Sequence, residues 1–282
     1  MNLNISNPLR LSAIAIAVLL AGCSVHINDG RGEKVGIGTE SGLFSLSVNV
    51  DGHTSYGHNR VKGSGVIRDE TRQLAGVSRL MLSMPADVTV VQGATESVTI
   101  STDDNILPLV GTRVENGVLV IDGEKNKGFS TRKGIKVRLN VKSLDGITVN
   151  GSGDVSGADL KGEKLDVAIR GSGDVRFQSV KAADVNIDIS GSGAAAINDL
   201  EGKTVKAGIH GSGDIKLPSL RAADVTVAVR GSGDVAAAGA AERVDVEIAG
   251  SGDVRMARLT SREANVRVIS SGEAHVHASE KL

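Results

Sequence analysis

Leu165-Asp166-Val167-Ala168-Ile169-Arg170-Gly171-Ser172-Gly173-Asp174-Val175-Arg176-Phe177-Gln178 is the stretch that decides the fold. On either side of Gly-Ser-Gly-Asp, apolar residues alternate with polar or small ones. Alternation with period two marks a half-buried strand rather than a helix. The phrase recurs upstream as Gly151-Ser152-Gly153-Asp154 and downstream as Gly191-Ser192-Gly193-Ala194, Gly211-Ser212-Gly213-Asp214, Gly231-Ser232-Gly233-Asp234 and Gly250-Ser251-Gly252-Asp253. A decayed copy, Ser270-Ser271-Gly272-Glu273, closes the series. A fixed step of about 20 residues implies a stack of like units, none able to bury its apolar face alone.

Laying the copies in register assigns the inward positions. Leu165, Val167, Ile169, Val175, Phe177 and Val180 are followed by Val185, Ile187, Ile189, Ala195, Ile197 and Leu200. Val205, Ala207, Ile209, Ile215, Leu217 and Leu220 come next. Each coil is predicted to hold two short strands joined at Gly-Ser-Gly, returning through a polar corner such as Lys181-Ala182-Ala183-Asp184. Few side chains are buried per coil, too few to offset the chain entropy lost on ordering it, so stability must come from stacking. The fold class is all-β: a single-domain parallel β-solenoid, or β-helix, with a less regular N-terminal cap.

The corner glycines suit a sharp turn needing positive φ or close backbone approach. Serines between them are placed to form a hydroxyl ladder. The column Asp154, Asp174, Asp214, Asp234 and Asp253 sets like charges one strand apart, a repulsion of about 1 kcal/mol per pair in water. Arg170, His210 and Arg230 stand four residues before Asp174, Asp214 and Asp234, and Ser190 replaces the base where Ala194 replaces the acid. That covariation suggests charge compensation across the turn. As a functional site the column would be a cation stripe, for example for Ca²⁺. As structure it would be a turn whose Asp bonds its own backbone. One carboxylate per coil is thin for an ion that takes six to eight oxygens, which favours the turn. No metal or other cofactor is expected.

Residues 1–23 read as an export signal. Arg10 precedes an apolar core from Leu11 to Leu20, too short to span a bilayer. Leu20-Ala21-Gly22-Cys23 resembles a bacterial lipobox, which implies acylation of Cys23, the single cysteine of the chain. Several acyl chains, at roughly 0.8 kcal/mol per buried CH₂, make a stable anchor. By resemblance to Gram-negative lipoproteins, Ser24 implies sorting to the outer membrane, with the periplasmic and surface facings both open. Residues 24–62, rich in Gly, Ser, Asn and His, read as a flexible tether reaching roughly 35 Å on average. They include one alternating run, Phe44 to Val50.

Between residues 63 and 140 the strand signal persists with a looser period. Val77-Leu80-Leu82, Val88-Val90, Val98-Ile100, Val118-Val120 and Ile135-Val137-Leu139 read as strands, and Asn116-Gly117 and Asp122-Gly123 as turns. Asn105 to Val110 reads as a short helical turn broken by Pro108. Solenoids need atypical ends that hide the core and the unpaired edge, and this segment suits the N-terminal end. Gly63-Ser64-Gly65, Glu70-Thr71-Arg72-Gln73-Leu74, Ala86-Asp87-Val88-Thr89-Val90 and Glu115-Asn116-Gly117-Val118-Leu119-Val120 resemble the head domain called GIN, an adhesin-type head of bacterial envelope proteins. The Gly-Ser-Gly-Asp coils resemble it too, so the likeness spans residues 63–282. It implies a structural repeat and carries no catalytic residues.

Composition narrows the partners. A formal net charge of −1, with acids and bases interspersed, indicates no basic face for nucleic acid. Three Phe, one Tyr and no Trp leave no stacking platform for bases or sugars and no aromatic girdle for a membrane barrel. His275 and His277 share a strand face at metal-ligand spacing but lack a third ligand. No nucleophile elbow or zinc-protease helix is present. The reading is a noncatalytic, membrane-anchored lipoprotein whose β-solenoid serves adhesion, scaffolding or binding of an envelope or extracellular protein or glycan. A polysaccharide lyase or hydrolase on a β-helix, and a passive periplasmic structural protein, are the alternatives. The solenoid ends, where Glu280 and Lys281 give modest edge protection, suit homo-oligomerisation.

Overall fold

A computed structural model of the chain describes residues 60–124 and 127–281, together with residues 27–28 and 34–35. The chain divides into two units, Met1–His58 and Asn59–Leu282. In the first, Ile27–Asn28 pairs antiparallel with Lys34–Val35. The expected signal segment 1–23, Cys23 and the run Phe44 to Val50 lie outside the described residues. Of the expected tether, Val61–Lys62 forms a short strand, parallel to Phe129–Ser130.

The second unit is a β-solenoid of about seven coils, each of about 20 residues. From Gly146 onward the coils stack on one another in parallel, in strict register as far as Leu217 and with local slips beyond it. Val155, Val175, Ala195, Ile215, Val235, Val254 and Ala274 stack in one parallel register. Leu165, Val185, Val205, Val225, Val244 and Ala264 stack in another. The deepest column, Ile169, Ile189, Ile209, Val229 and Ile248, is fully buried.

Inward side chains come in three groups per coil, as in Val175 and Phe177, Val180 and Ala182, then Val185, Ile187 and Ile189. Between groups the period-two alternation slips by one residue, and each slip bends the strand. The expected polar return is therefore not a break in the sheet. Lys161, Gly162 and Lys164 pair in register with Lys181, Ala182 and Asp184, and Ala182 is buried. Large and small residues interdigitate along the stack: a Cβ on Gly157 would strike the Phe177 ring of the next coil.

At the Gly-Ser-Gly corner the backbones themselves stack. The carbonyl of Gly151 accepts the amides of Ser172 and Gly173 at 2.8 and 3.0 Å, and Gly171 does the same for Ser192 and Gly193 at 2.9 and 3.1 Å. Gly171 holds φ +152°, and a Cβ there would collide with the Gly151 carbonyl. Only glycine meets both conditions.

The cap is solenoid too, but threaded out of order. Arg79–Leu82 lies parallel to Gly146–Val149, and Asp87–Val90 parallel to Asp154–Gly157. Ser83-Met84-Pro85-Ala86 thus occupies the corner position. One layer further out, Val118–Ile121 pairs parallel with Arg79–Leu82, and Lys136–Val141 with Asp87–Gln92. The outermost strands reverse direction. Val110–Glu115 runs antiparallel to Val118–Gly123, Ser97–Ser101 to Lys136–Asn140, and Ile67–Gln73 to Ser97–Asp103. Ile67–Gln73 is exposed along almost its whole length and carries Arg68, Asp69, Glu70 and Arg72, a charged edge that discourages further strand pairing. Asn116 (φ 51°) and Gly117 (φ 78°) make the two-residue turn of the outer hairpin, as their pairing predicts. Leu107–Leu109 is a single 3-10 turn containing Pro108. Asp122-Gly123, read as a turn, instead ends the strand Val118–Gly123.

Candidate functional site

The aspartate column lies at the start of each coil's first strand, next to the corner. Its members are half-buried, and their geometry is the same from coil to coil. Asp154 Oδ1 accepts the backbone amide of Asp174 at 2.8 Å, and Asp174 Oδ1 that of Ala194 at 2.7 Å. Asp214 Oδ1 accepts from Asp234 at 3.3 Å, Asp234 Oδ1 from Asp253 at 2.9 Å, and Asp253 Oδ1 from Glu273 at 3.2 Å. Each carboxylate is a rung to the next coil's backbone, not a bond within its own turn. Where Ala194 interrupts the column, the Asp214 amide turns to the Gly193 carbonyl at 3.3 Å.

The second carboxylate oxygen meets a base, but not the one expected. Asp174 Oδ2 pairs with Arg176, and Arg255 bridges Asp234 and Asp253 at 2.8 and 2.9 Å. Lys216 stands 3.9 Å from Asp214. These bases lie two residues after an aspartate, on the same strand face, where period two brings side chains together. Four residues before the aspartate, across the corner, the chain belongs to a different side. There His210 faces Asp188 at 3.6 Å and Arg230 faces Glu247 at 3.8 Å. The amide of Asp253 and then the guanidinium of Arg255 hold the Asp234 carboxyl below the usual range, against the opposing effect of burial.

The remaining predicted positions are placed separately. Serines at the corners contribute amides to the stack rather than a hydroxyl ladder. His275 and His277 are both exposed, with His275 Nε2 3.4 Å from Glu273. Among the described residues no three His, Cys, Asp or Glu side chains converge as a metal site, and no helix is long and apolar enough to cross a membrane.

Elsewhere the outer faces carry ladders of complementary pairs. Lys181 meets Glu201 at 2.7 Å, Arg221 meets Asp199 at 2.8 Å and Arg243 meets Asp224 at 2.6 Å, each one coil apart. Asn198 donates to Gln178 at 2.8 Å in the same manner. Stacking of like columns turns sequence charge into flat, self-neutralising faces.

A second constellation was not read from the sequence as such. Gly63-Ser64-Gly65 is no solenoid corner but a clasp on the end of strand Ser97–Asp103. The Gly65 amide donates to Asp103 Oδ1 at 2.6 Å, the Ser64 hydroxyl to Asp104 at 2.5 Å and the Ser64 amide to Asn105 at 2.9 Å. Asn105 returns a bond to the Lys62 carbonyl at 2.8 Å. Asp103 is 1% exposed, and the neighbouring Thr131 hydroxyl and the Gly65 amide hold its carboxyl below the usual range. The clasp ties the start of the cap to the end of the interior strand Ser97–Asp103.

Fold and surface together define a repeat-built β-solenoid head: stacked parallel coils, a charged antiparallel cap, and polar groups spent on holding one coil to the next. The chain belongs to the family described as putative auto-transporter adhesin, head GIN domain, whose model matches residues 78–236 and 186–282. A putative adhesin of Bacteroides fragilis shares the fold with a TM-score of 0.66 at 21% identity, over 78% of this chain and 99% of that one. A putative adhesin of Parabacteroides merdae does so at 0.63 and 21%, over 79% and 99%. A protein of Parabacteroides distasonis named a putative lipid binding protein follows at 0.57 and 19%, over 79% and 98%. No curated protein matches the chain. At these identities the solved structures show a shared fold, and the adhesin description comes from the family match.

Proposed function

We propose that the protein is a noncatalytic lipoprotein, acylated on Cys23 and held at the outer membrane, whose solenoid presents a rigid surface to an envelope or extracellular protein or glycan. The observation that carries this is the use made of the polar groups. The most regular carboxylates, those of the aspartate column, bind backbone amides of the next coil rather than pointing into a cleft. The outer faces are paired, level and repeated, which suits many weak contacts acting together more than one deep site. A polysaccharide-active reading would have to recruit Asp174 and Asp214, both engaged in those rungs.

Labelling of intact cells with an impermeant biotin reagent tests the placement. Reaction without lysis puts the head on the cell surface and supports adhesion. Protection until the outer membrane is breached makes it a periplasmic scaffold. Incorporation of labelled palmitate that vanishes in Cys23→Ser tests the anchor, and persistence of the label in that variant would remove it.

A further inference from the structure

The solenoid surface stays shallow where outward side chains repeat from coil to coil, but the repeat is not kept throughout. From Gly231 to Gly250 the step is 19 residues instead of 20. The register slips between Leu217 and Leu220 on one side of this coil, and between Ala236 and Ala238 on the other. Gly239, at φ +130°, takes the position held by Leu220 in the coil before, and alanines fill positions 236–238, 240 and 241. A surface groove of about 500 Å³ opens over Ala236, Ala237 and Ala238, between Lys216 and Pro218 on one side and Arg255 and Arg258 on the other. This volume lies within the range of small-molecule sites.

The groove has an apolar floor and a cationic rim. Leu217, Pro218, Ala236 and Ala238 supply the floor, and Lys216, Arg255 and Arg258 stand around it. The three cations are not equivalent. Arg255 is tied to Asp234 and Asp253 at 2.8 and 2.9 Å, and Lys216 has Asp214 at 3.9 Å. Arg258 is stacked in register on Ala238 and has no ion pair among the described residues. It is the one rim cation left without a counter-charge.

We infer that this groove binds the carboxylate end of an acyl chain, with the carboxylate on Arg258 and the hydrocarbon along the alanine floor. One unpaired guanidinium matches one negative charge and offers a carboxylate two parallel donors. A sugar fits less well: no aromatic ring lines the groove, and its one uncharged polar side chain, Asn198, already donates to Gln178. The apolar floor gains by being covered, which acetate alone cannot do.

Titration calorimetry on the full chain, with dodecanoate kept below its micelle concentration, tests the assignment. The expected result is saturable binding of one dodecanoate per chain. Affinity falls at least tenfold in Arg258→Gln, where the exposed side chain leaves the core intact, and binding is lost in Ala238→Leu, which fills the groove. Dodecanol binds at least tenfold more weakly, and acetate does not bind. The inference is overturned by absence of saturable dodecanoate binding, by equal affinity in wild type and both variants, or by dodecanol binding as tightly as dodecanoate.

Discussion

The regular coils from Gly146 to Lys281 and the cap from Val61 to Val141 use the same strand geometry but differ in where each strand finds its neighbours. In the coils the partner lies about 20 residues away: Val167 pairs with Ile187, and Ile187 with Ala207. In the cap Leu80 sits between Leu119 and Ile147, the one reached by a hairpin excursion and the other only after it. Parallel stacking has no natural end, so a terminus needs strands that reverse direction and present charge. Reversal forces the chain to leave the coil and come back, and that is why the cap is interleaved. The contrast predicts that the coils depend on exact stacking of equivalent positions, whereas the cap tolerates local change.

Glycine substitution separates the two most sharply. A Cβ on Gly193 would collide with the Gly173 carbonyl and stand 2.9 Å from the Ile169 side chain, while one on Gly93 in the cap meets nothing within 4 Å. Gly193→Ala is expected to cost about 4 kcal/mol or more. Gly93→Ala is expected to add up to about 1 kcal/mol by restricting the unfolded chain. Denaturant titrations followed by circular dichroism give both numbers, and similar losses for the two variants would break the contrast.

Next in size is Phe177→Ala, which empties the space above Gly157 and should cost about 3–5 kcal/mol. Since coils touch only their neighbours, the damage should spread along the stack by proximity. Amide exchange is expected to lose protection across residues 155–209 while the cap strands Ser97–Asp103 and Lys136–Val141 keep theirs. Uniform loss over the whole unit would show that cap and coils unfold as one.

What the sequence made legible follows the same division. Inward columns such as Leu165, Val185 and Val205 were readable because a repeat aligns with itself, and the Asn116-Gly117 hairpin because its turn chemistry is local. The interleaving of Arg79–Leu82 was not, since nothing in its own residues says that Val118–Ile121 will arrive beside it. The aspartate column was found but its partners were missed. Covariation points to Arg170, His210 and Arg230 as counter-charges, yet period two delivers Arg176 and Arg255 to the same face, and the stacking register delivers the next coil's amide. The groove's signal in the sequence is the run of alanines at 236–238, which replaces the bulkier outward residues of the neighbouring coils.

The rungs themselves allow a smaller test. Asp174→Ala deprives the Ala194 amide of its acceptor and releases Arg176, beside a position where the column is already interrupted. A loss of about 1–2 kcal/mol is expected, the usual cost of leaving a half-buried donor unmet. Asp154→Ala, which removes the acceptor of the Asp174 amide, should cost a similar amount if the rung rather than the Arg176 pair carries the effect. A neutral Asp154→Ala alongside a costly Asp174→Ala would transfer the weight to the ion pair.

The smallest expected effect concerns acid. Asp234 in the coils and Asp103 in the cap both have carboxyls held below the usual range, the first chiefly by the Asp253 amide and the second chiefly by the Thr131 hydroxyl. A carboxyl with a lowered folded pKa binds its proton more readily in the unfolded chain. Its contribution to stability is therefore complete above the unfolded value, about 3.9, and is lost as pH falls through the folded one. Stability should stay level from pH 7 to about 5 and decline below about 4. The chain contains no Trp, so circular dichroism is the probe of choice. Asp103→Asn should flatten the acid decline if the clasp opens first, and Asp234→Asn should flatten it if the coils do. A decline already present between pH 7 and 5 would contradict both, because it requires a group that titrates at about 6.5 in the unfolded chain, as a His does, and has its folded pKa lowered. Flattening by Asp103→Asn alone would make the clasp the first part of the unit to open in acid, with the stacked coils intact behind it.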